Sequence, residues 1–215
     1  EWGAADLEAI AGSNASAVLV PKVNSAEDIA RYEQALVRAP APMQLWAMIE
    51  TCACIPELNA IAAMAARTRL SLFVMGVNDL AKEMRARLTP ERTPFLPFLS
   101  MSVASARAHG VAVLDGVCNE FRDLEVFRAE AEQGLLFGFD GKTLIHPDQI
   151  APCNEAFSPS EEELRWAQVL IEAFQQPEAQ GKGAIKVEGK MVELLHKHQA
   201  KQLVSVADMI AASEG

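Results

Sequence analysis

The stretch Leu72-Phe-Val-Met-Gly-Val-Asn-Asp-Leu80 joins an apolar run to a polar pair. An apolar run of this length is typical of a strand that is covered on both faces, as in a parallel sheet. Parallel strands are connected by crossovers that usually contain a helix, so a helix should begin soon after the run ends. Asn78 and Asp79 are therefore predicted to lie at the carboxyl end of a buried strand, where barrel-type α/β folds place their functional side chains.

Five apolar runs of this kind recur, and we predict that each is a strand of one parallel sheet: Ala17–Val23, Gln44–Ile49, Leu70–Val77, Val111–Val117 and Leu135–Phe139. Helical patterns separate them, the first beginning at a Ser25 cap and the others spanning Ile55–Arg67, Ser100–His109 and Asp123–Gln133. This alternation predicts an α/β fold with a parallel sheet or barrel.

The pattern changes after Pro147. Ser158-Pro-Ser-Glu-Glu-Glu should cap a long helix that ends near Phe174, a hairpin or loop follows over Ala184–Met191, and Val192–Ala211 is helical again. We expect residues 1–157 to form part of a β/α barrel and residues 158–215 to form a C-terminal helical extension.

Composition narrows the class of protein. The chain has 215 residues, 50% of them hydrophobic and 22% charged, which fits a folded domain. A net charge of −10 argues against a general binder of nucleic acid or acidic membranes. The four cysteines lack C-x-x-C spacing, so we expect reduced thiols. With no run of about 18 apolar residues and no signal peptide at the start, a cytoplasmic location is expected.

A charged side chain follows or ends each of the five runs: Lys22, Glu50, Asp79, Asp115, and Asp140 with Lys142. Because Glu50 and Asp79 end neighbouring strands, their carboxylates could approach one divalent cation. Two carboxylates leave open positions for water and substrate, as Mg²⁺ usually requires, whereas no His or Cys has the ligand spacing of a zinc site. The alternative is that Asp79 caps a helix starting at Leu80 while Glu50 pairs with Lys22.

Five motifs occur in a fixed order: Val20-Pro-Lys-Val-Asn-Ser-Ala-Glu-Asp-Ile29, Met48-Ile-Glu-Thr51, Met75-Gly-Val-Asn-Asp-Leu80, Leu114-Asp-Gly-Val117 and Gly138-Phe-Asp-Gly-Lys-Thr-Leu-Ile-His-Pro-Asp-Gln-Ile150. Together they resemble the citrate lyase beta-subunit-like proteins of the HpcH/HpaI aldolase superfamily, alongside malyl-CoA and citramalyl-CoA lyases. The resemblance runs from about Trp2 to Met209, and the last motif is specific to the citrate lyase-like branch.

The resemblance implies a (β/α)8 TIM-type barrel with a C-terminal extension, in trimers or hexamers whose extensions cover a neighbour's active site. Only five barrel strands are predicted here, so about three N-terminal strands would be missing from this chain. One of them carries, in relatives, an arginine that binds the substrate carboxylate or carbonyl and that would precede Glu1.

By the same resemblance, Glu50 and Asp79 correspond to the carboxylates that bind Mg²⁺ (or Mn²⁺). Gly76 would let the backbone of Val77 and Asn78 approach the substrate. Lys142 and His146 lie in a region that lines the coenzyme A site in relatives, where a lysine suits a phosphate. The alternative for His146 is a structural histidine ahead of Pro147, and for Lys22 a salt bridge to an acid at the same edge.

One motif departs from the family. Lyases typically read G-x-M-I/V-D-x-P, and the aspartate is an acid/base supplied by the neighbouring subunit. Here Glu193 replaces that aspartate and Leu195 the proline. A displacement of about 1 Å at a reacting group can cost about a hundredfold in rate, so activity or substrate should differ. The alternative for Glu193 is a solvated residue near the start of the last helix.

Three functional hypotheses follow. The first is a Mg²⁺-dependent carbon–carbon lyase that cleaves or condenses a 3-hydroxyacyl-CoA such as malyl-CoA, citramalyl-CoA or citryl-CoA, with an acyl-CoA and a 2-oxo acid as products. The second is a metal-dependent aldolase on a free 2-oxo acid without coenzyme A. The third is a non-catalytic subunit that retains metal and coenzyme A sites.

Overall fold

The computed structural model describes residues 3–40 and 42–213. The chain divides into two compact units, Glu1–Phe157 and Ser158–Gly215, which are described separately.

The first unit is built on a parallel sheet. Its strands are β1 (Ala17–Val20), β2 (Gln44–Ile49), β3 (Leu70–Met75), β4 (Ala112–Asp115) and β5 (Gly141–Lys142). Each strand pairs in parallel with the next one along the chain, so that Ile49 lies beside Met75 and Asp115 beside Lys142. This winding in one direction is the order of strands in a β/α barrel. All carboxyl ends therefore lie at the same edge of the sheet.

Helices precede, connect and follow these strands: α1 (Gly3–Ala11), α2 (Ala26–Ala35), α3 (Leu58–Ala63), α4 (Val77–Met84), α5 (Leu96–Ala108), α6 (Leu124–Phe137) and α7 (Ile150–Phe157). Alternate residues of β2, namely Leu45, Ala47 and Ile49, are fully buried. They belong to one apolar core with β3, β4 and the inner faces of α2, α3, α4 and α5. Burial of such side chains contributes about 1.5–3 kcal/mol each, which is the main stabilisation of this unit.

The predicted bounds of the second strand and the predicted start of a helix after Ser25 are confirmed. The fifth strand prediction was wrong, because Leu135–Phe139 covers the last turn of α6 and the residues after it. Leu136 is 83% exposed, and Gly138 ends the helix in the left-handed conformation with φ 90°. The strand itself comes later and has two residues. Likewise, Val77 begins α4 instead of ending β3.

The second unit contains α8 (Glu161–Ala173), an antiparallel hairpin of β6 (Ala184–Val187) and β7 (Lys190–Glu193), and α9 (Leu194–Ser213). Its small core joins α8 to α9 and to the hairpin through Ala167, Leu170, Val187, Val192 and Ala200. Helix α8 begins with a reciprocal capping box between Ser160 and Glu163. In residues 3–40 and 42–213, the helices are all too short or too polar to cross a membrane.

Candidate metal and substrate site

Three charged side chains meet at the carboxyl ends of the first three strands. Lys22 follows β1, Glu50 follows β2 directly, and Asp79 is the third residue of α4, just after β3. Because neighbouring parallel strands end at one edge, residues far apart in the sequence lie side by side.

Glu50 is buried, with 4% of its surface exposed. Its Oε1 accepts a hydrogen bond of 2.8 Å from the backbone N–H of Lys22. To present this N–H, Lys22 adopts a left-handed backbone conformation with φ 53°. The carboxylate is therefore held in one orientation by the end of the neighbouring strand.

Gly76 makes room for this carboxylate. A Cβ atom at position 76 would lie 2.4 Å from Cβ of Glu50 and 2.8 Å from its Oε2. Atoms cannot approach so closely, so the residue between β3 and α4 has to be glycine while Glu50 keeps this position.

Asp79 and Glu50 face one cationic group. The Lys22 ammonium nitrogen lies 2.5 Å from Oδ1 of Asp79 and 3.7 Å from Oε1 of Glu50. The hydrogen bond from Lys22 lowers the pKa of Asp79 below its usual value, and the same contact raises the pKa of Lys22. Both side chains are about half exposed, 46% for Asp79 and 49% for Lys22, so the pair is accessible from solvent.

The structure distinguishes the two alternative roles expected for these acids, helix capping by Asp79 and pairing of Glu50 with Lys22. Asp79 does not cap α4, because Gly76 occupies the cap position and Asp79 lies inside the first turn. The expected pairing of Glu50 with Lys22 is present, and Asp79 shares it.

This donor set fits a magnesium ion. Two carboxylate oxygens already converge on one positive charge, and oxygen ligands with open positions are what Mg²⁺ prefers. Within the described ranges, the structure contains no cluster of three or more His, Cys, Asp or Glu side chains that could hold a metal. Two carboxylates by themselves would leave the remaining positions of such an ion to water and substrate oxygens.

The start of α4 borders a small pocket. Val77 is buried, whereas the side-chain amide of Asn78 exchanges two hydrogen bonds with that of Asn119, of 3.0 and 2.8 Å. These residues line a cavity of about 120 Å³ together with Leu88, Thr89, Pro90, Arg92 and Cys118. The first N–H groups of a helix have no intrahelical acceptor, so the start of α4 can bind anionic oxygens.

The three buried cysteines are not candidates for a catalytic nucleophile. All four are free, as the spacing predicted. Burial raises the pKa of Cys54, Cys118 and Cys153, which keeps these three as neutral thiols.

Lys142 is not placed where a phosphate can reach it, which corrects the expectation that it binds coenzyme A. Its side chain is 0% exposed, and its ammonium donates to Oε1 of Glu130 at 2.6 Å, to the carbonyl of Gly116 at 2.6 Å and to Oδ2 of Asp115 at 3.0 Å. An ammonium has three donors, and all three are used.

The sequence analysis missed the other cation of this buried cluster. Arg92 donates from Nη1 to both carboxylate oxygens of Asp115 at 2.7 Å and from Nε to Gln133 at 2.7 Å. Two cations and the two acids Asp115 and Glu130 thus neutralise each other in the interior. Arg92 lies between Pro90 and Pro94, and nothing in its sequence context indicates that it is only 3% exposed.

His146 is structural in part. Its Nδ1 accepts a hydrogen bond of 3.2 Å from the backbone N–H of Asp148, and its ring stacks on Phe121 with centroids 5.1 Å apart. This cap favours the alternative in which the histidine orders the turn at Pro147. Its side chain is 38% exposed, so a ligand contact through the other ring nitrogen stays a prediction.

Glu193 ends β7 in the second unit and is exposed. Its backbone N–H donates to Nδ1 of His196 at 2.9 Å, which fixes the start of α9. Its catalytic role stays a prediction.

The chain is similar to proteins of known families. The model of the family described as HpcH/HpaI aldolase/citrate lyase matches residues 1–147. A (3S)-malyl-CoA thioesterase of Cereibacter sphaeroides is 47% identical over 212 residues, covering 99% of this chain and 72% of the relative. An L-malyl-CoA/beta-methylmalyl-CoA lyase of the same species is 31% identical over 230 residues, covering 96% and 72%.

The crystal structure of the protein CitE of Mycobacterium tuberculosis in complex with magnesium, acetoacetate and coenzyme A has a TM-score of 0.76 and 28% identity. The match covers 95% of this chain and 73% of that one. The chain belongs to the HpcH/HpaI aldolase/citrate lyase family, and its fold class is the predicted one, an α/β fold of the TIM-barrel type.

Proposed function

We propose that the protein is a divalent-metal-dependent enzyme that hydrolyses a 3-hydroxyacyl-CoA thioester of the malyl type. The observation that carries the proposal is the convergence of Glu50 and Asp79 on one positive charge at the ends of β2 and β3. The choice of hydrolysis is supported by the 47% identity to a (3S)-malyl-CoA thioesterase, against 31% to a malyl-CoA lyase.

Glu50 and Asp79 would hold the ion, Mg²⁺ or Mn²⁺. When bound, such an ion supplies a Lewis acid that polarises a carbonyl oxygen. The backbone N–H of Lys22 keeps the Glu50 carboxylate oriented, and Gly76 leaves the space it occupies. The start of α4 offers N–H groups to the anionic oxygens of the substrate.

Hydrolysis and lyase chemistry differ in the bond that breaks. In hydrolysis, water adds to the thioester carbonyl, the C–S bond breaks, and malate and coenzyme A leave. In the lyase reaction, the bond between the hydroxyl-bearing carbon and its neighbour breaks, and acetyl-CoA and glyoxylate leave. The lyase reaction needs a base placed at the hydroxyl. The replacement of the lyase aspartate by Glu193 changes the reach of that base, which supports hydrolysis.

A carbon–carbon lyase is the second candidate, because the malyl-CoA lyase similarity extends over 96% of the chain. One assay separates the two. The purified protein is incubated with (3S)-malyl-CoA and Mg²⁺, free thiol is followed with a chromogenic disulfide, and glyoxylate is followed as its phenylhydrazone. Thiol without glyoxylate supports hydrolysis, whereas glyoxylate and acetyl-CoA in equal amounts support the lyase.

Metal dependence is tested on the same assay. Treatment with EDTA should abolish turnover and added Mg²⁺ should restore it. Glu50→Gln and Asp79→Asn should each lower turnover at least about a hundredfold, because a lost ligand removes most of the electrostatic stabilisation. The exposed Glu125→Gln serves as the control and should leave turnover unchanged. Turnover that survives complete metal removal would reject the proposal, and coenzyme A binding without either product would favour a non-catalytic subunit.

We also propose that residues 158–215 cover the site of a neighbouring copy in a homo-oligomer. Exposed apolar side chains surround Glu193 in the second unit, with Met191 70%, Leu194 43% and Leu195 49% exposed. If Glu193→Gln is as impaired as Asp79→Asn, a mixture of the two proteins should regain activity, because each copy then completes its neighbour's site. Failure of these mixtures to regain activity after subunit exchange would contradict it.

A further inference from the structure

Lys22 has an unusual backbone for its residue type. Its φ of 53° lies in the left-handed region, which is unfavourable for a side chain with a Cβ and natural for glycine. A glycine would present the same N–H to Glu50 with less strain. Side chains held in such strained backbone conformations cluster at functional sites.

The ammonium of Lys22 is only weakly bound in its present position. It makes one short hydrogen bond, to Asp79, and lies 3.7 Å from Glu50, with both Lys22 and Asp79 about half exposed. Ion pairs between exposed side chains are weak because water screens them. A divalent cation that binds both carboxylates would therefore displace the ammonium with little resistance.

The displaced ammonium changes the charge of the site. Glu50 and Asp79 cancel the double charge of a divalent ion, so Lys22 leaves one positive charge beside it. Glu83 and Lys82 also act electrostatically on this group of residues, and their opposite charges offset each other. The excess charge matches the free carboxylate of a malyl-type substrate.

We propose that Lys22 is a substrate-binding residue that exchanges partners. Its ammonium binds Asp79 and Glu50 when no metal is present, and it binds the substrate's free carboxylate once the cation has taken those two side chains. This inference rests on the proposed cation site.

The test measures binding and does not depend on turnover. Mn²⁺ binding is followed by electron paramagnetic resonance, and malate binding to the Mn²⁺-loaded protein is followed by calorimetry. In Lys22→Met, Mn²⁺ should bind up to about fivefold more tightly, since a competing exposed ion pair is lost. Malate should bind at least about tenfold more weakly, since a charge-assisted hydrogen bond is lost.

Two further variants sharpen the result. Lys22→Arg keeps a positive charge and should retain malate affinity within about threefold, because a hydrogen bond to a charged donor is preserved. Lys82→Met removes a neighbouring exposed lysine and should change neither affinity by more than about twofold, since screened surface charges act weakly.

The outcomes separate this inference from the proposed function. A wild-type protein that binds no Mn²⁺ rejects the cation site itself. Wild-type Mn²⁺ binding with unchanged malate affinity in Lys22→Met leaves that site intact and overturns the role of Lys22. Weaker Mn²⁺ binding in Lys22→Met also overturns it, because the lysine would then be holding the carboxylates in place.

Discussion

Replacement of Gly76 by alanine tests whether the junction of β3 and α4 determines the position of Glu50. The added Cβ would lie 2.4 Å from Cβ of Glu50, whereas carbon atoms in contact are about 3.5–4.0 Å apart. The backbone at position 50 or at position 76 must therefore move by about 1 Å or more. Neither moves easily, because Glu50 is 4% exposed and the N–H of Gly76 is bonded to the carbonyl of Ile49 at 2.9 Å.

The expected cost follows from this geometry. Overpacking of a rigid interior costs about 1–3 kcal/mol, and this contact belongs at the upper end because a Cβ cannot rotate away. The backbone of Gly76 has φ −105° and ψ 67°, which lies outside the left-handed region, and the loss of glycine's freedom in the unfolded chain returns about 0.4–1 kcal/mol. We therefore expect Gly76→Ala to lower the unfolding free energy by about 2 kcal/mol, or the Tm by about 4–8 °C.

We expect Gly76→Ala to weaken metal binding more strongly than it lowers the stability of the fold. A displacement of about 1 Å in one of two protein ligands should weaken Mn²⁺ binding at least about tenfold, measured by electron paramagnetic resonance well below the Tm. Gly12→Ala is the matched control, since its Cβ would meet only ordinary contacts, the nearest at 3.6 Å. If Gly76→Ala melts at the wild-type temperature and binds Mn²⁺ within twofold of wild type, the steric argument is refuted.

Three further changes test other parts of the molecule. Asp115→Asn leaves buried cations without their counter-charge and should cost about 3–5 kcal/mol in urea unfolding, whereas Glu125→Gln, at an exposed pair, should cost less than about 0.5 kcal/mol. The Ser160 hydroxyl and N–H lower the pKa of Glu163 below its usual 4.5, so the stabilisation of α8 is complete above that pH and is lost as the pH falls through the lower folded value. Carbon NMR of the Glu163 carboxyl in wild type and in Ser160→Ala checks this, and an unchanged titration would contradict it. Glu193→Gln should lower turnover about a hundredfold with an unchanged Tm if that carboxylate handles a proton, and full activity would remove it from the site.

The sequence predicts where Glu50 and Asp79 lie because strand ends in a parallel sheet carry positional information. An apolar run buried on both faces fixes where each strand ends, and the next polar side chain then has a defined edge to occupy. Glu50 follows a run whose bounds are those of β2, so its position could be predicted. Asp79 is predicted at the same edge, although Val77 belongs to α4 and not to the predicted strand.

Other parts of the fold could not be predicted, because the local sequence carries no signal for them. A strand of two residues, as in β5, leaves no alternation to detect, and the apolar end of α6 imitates a strand. Arg92 becomes buried through contacts with residues more than 20 positions away, which local composition does not encode. The family resemblance implied a phosphate contact for Lys142, but its ammonium is bound in the interior by Glu130 and Asp115, which lie on two other elements.

The buried charged cluster is connected to the junction of β3 and α4 through Gly116. The N–H of Gly116 donates to Asp115 at 2.8 Å and its carbonyl accepts from Lys142 at 2.6 Å, so the charged cluster holds this residue from both sides. A Cβ at Gly116 would lie 2.9 Å from the carbonyl oxygen of Met75 and 3.0 Å from Cγ2 of Val77. The backbone of Gly116 therefore packs directly against the junction from which Asp79 extends. Buried charges hold a fixed geometry when every partner is present, so we expect the cluster to keep Gly116, and with it the junction that precedes Asp79, in place. The motif that contains Lys142 thus supports the junction of β3 and α4 through packing, and not through the phosphate contact that the family resemblance implied.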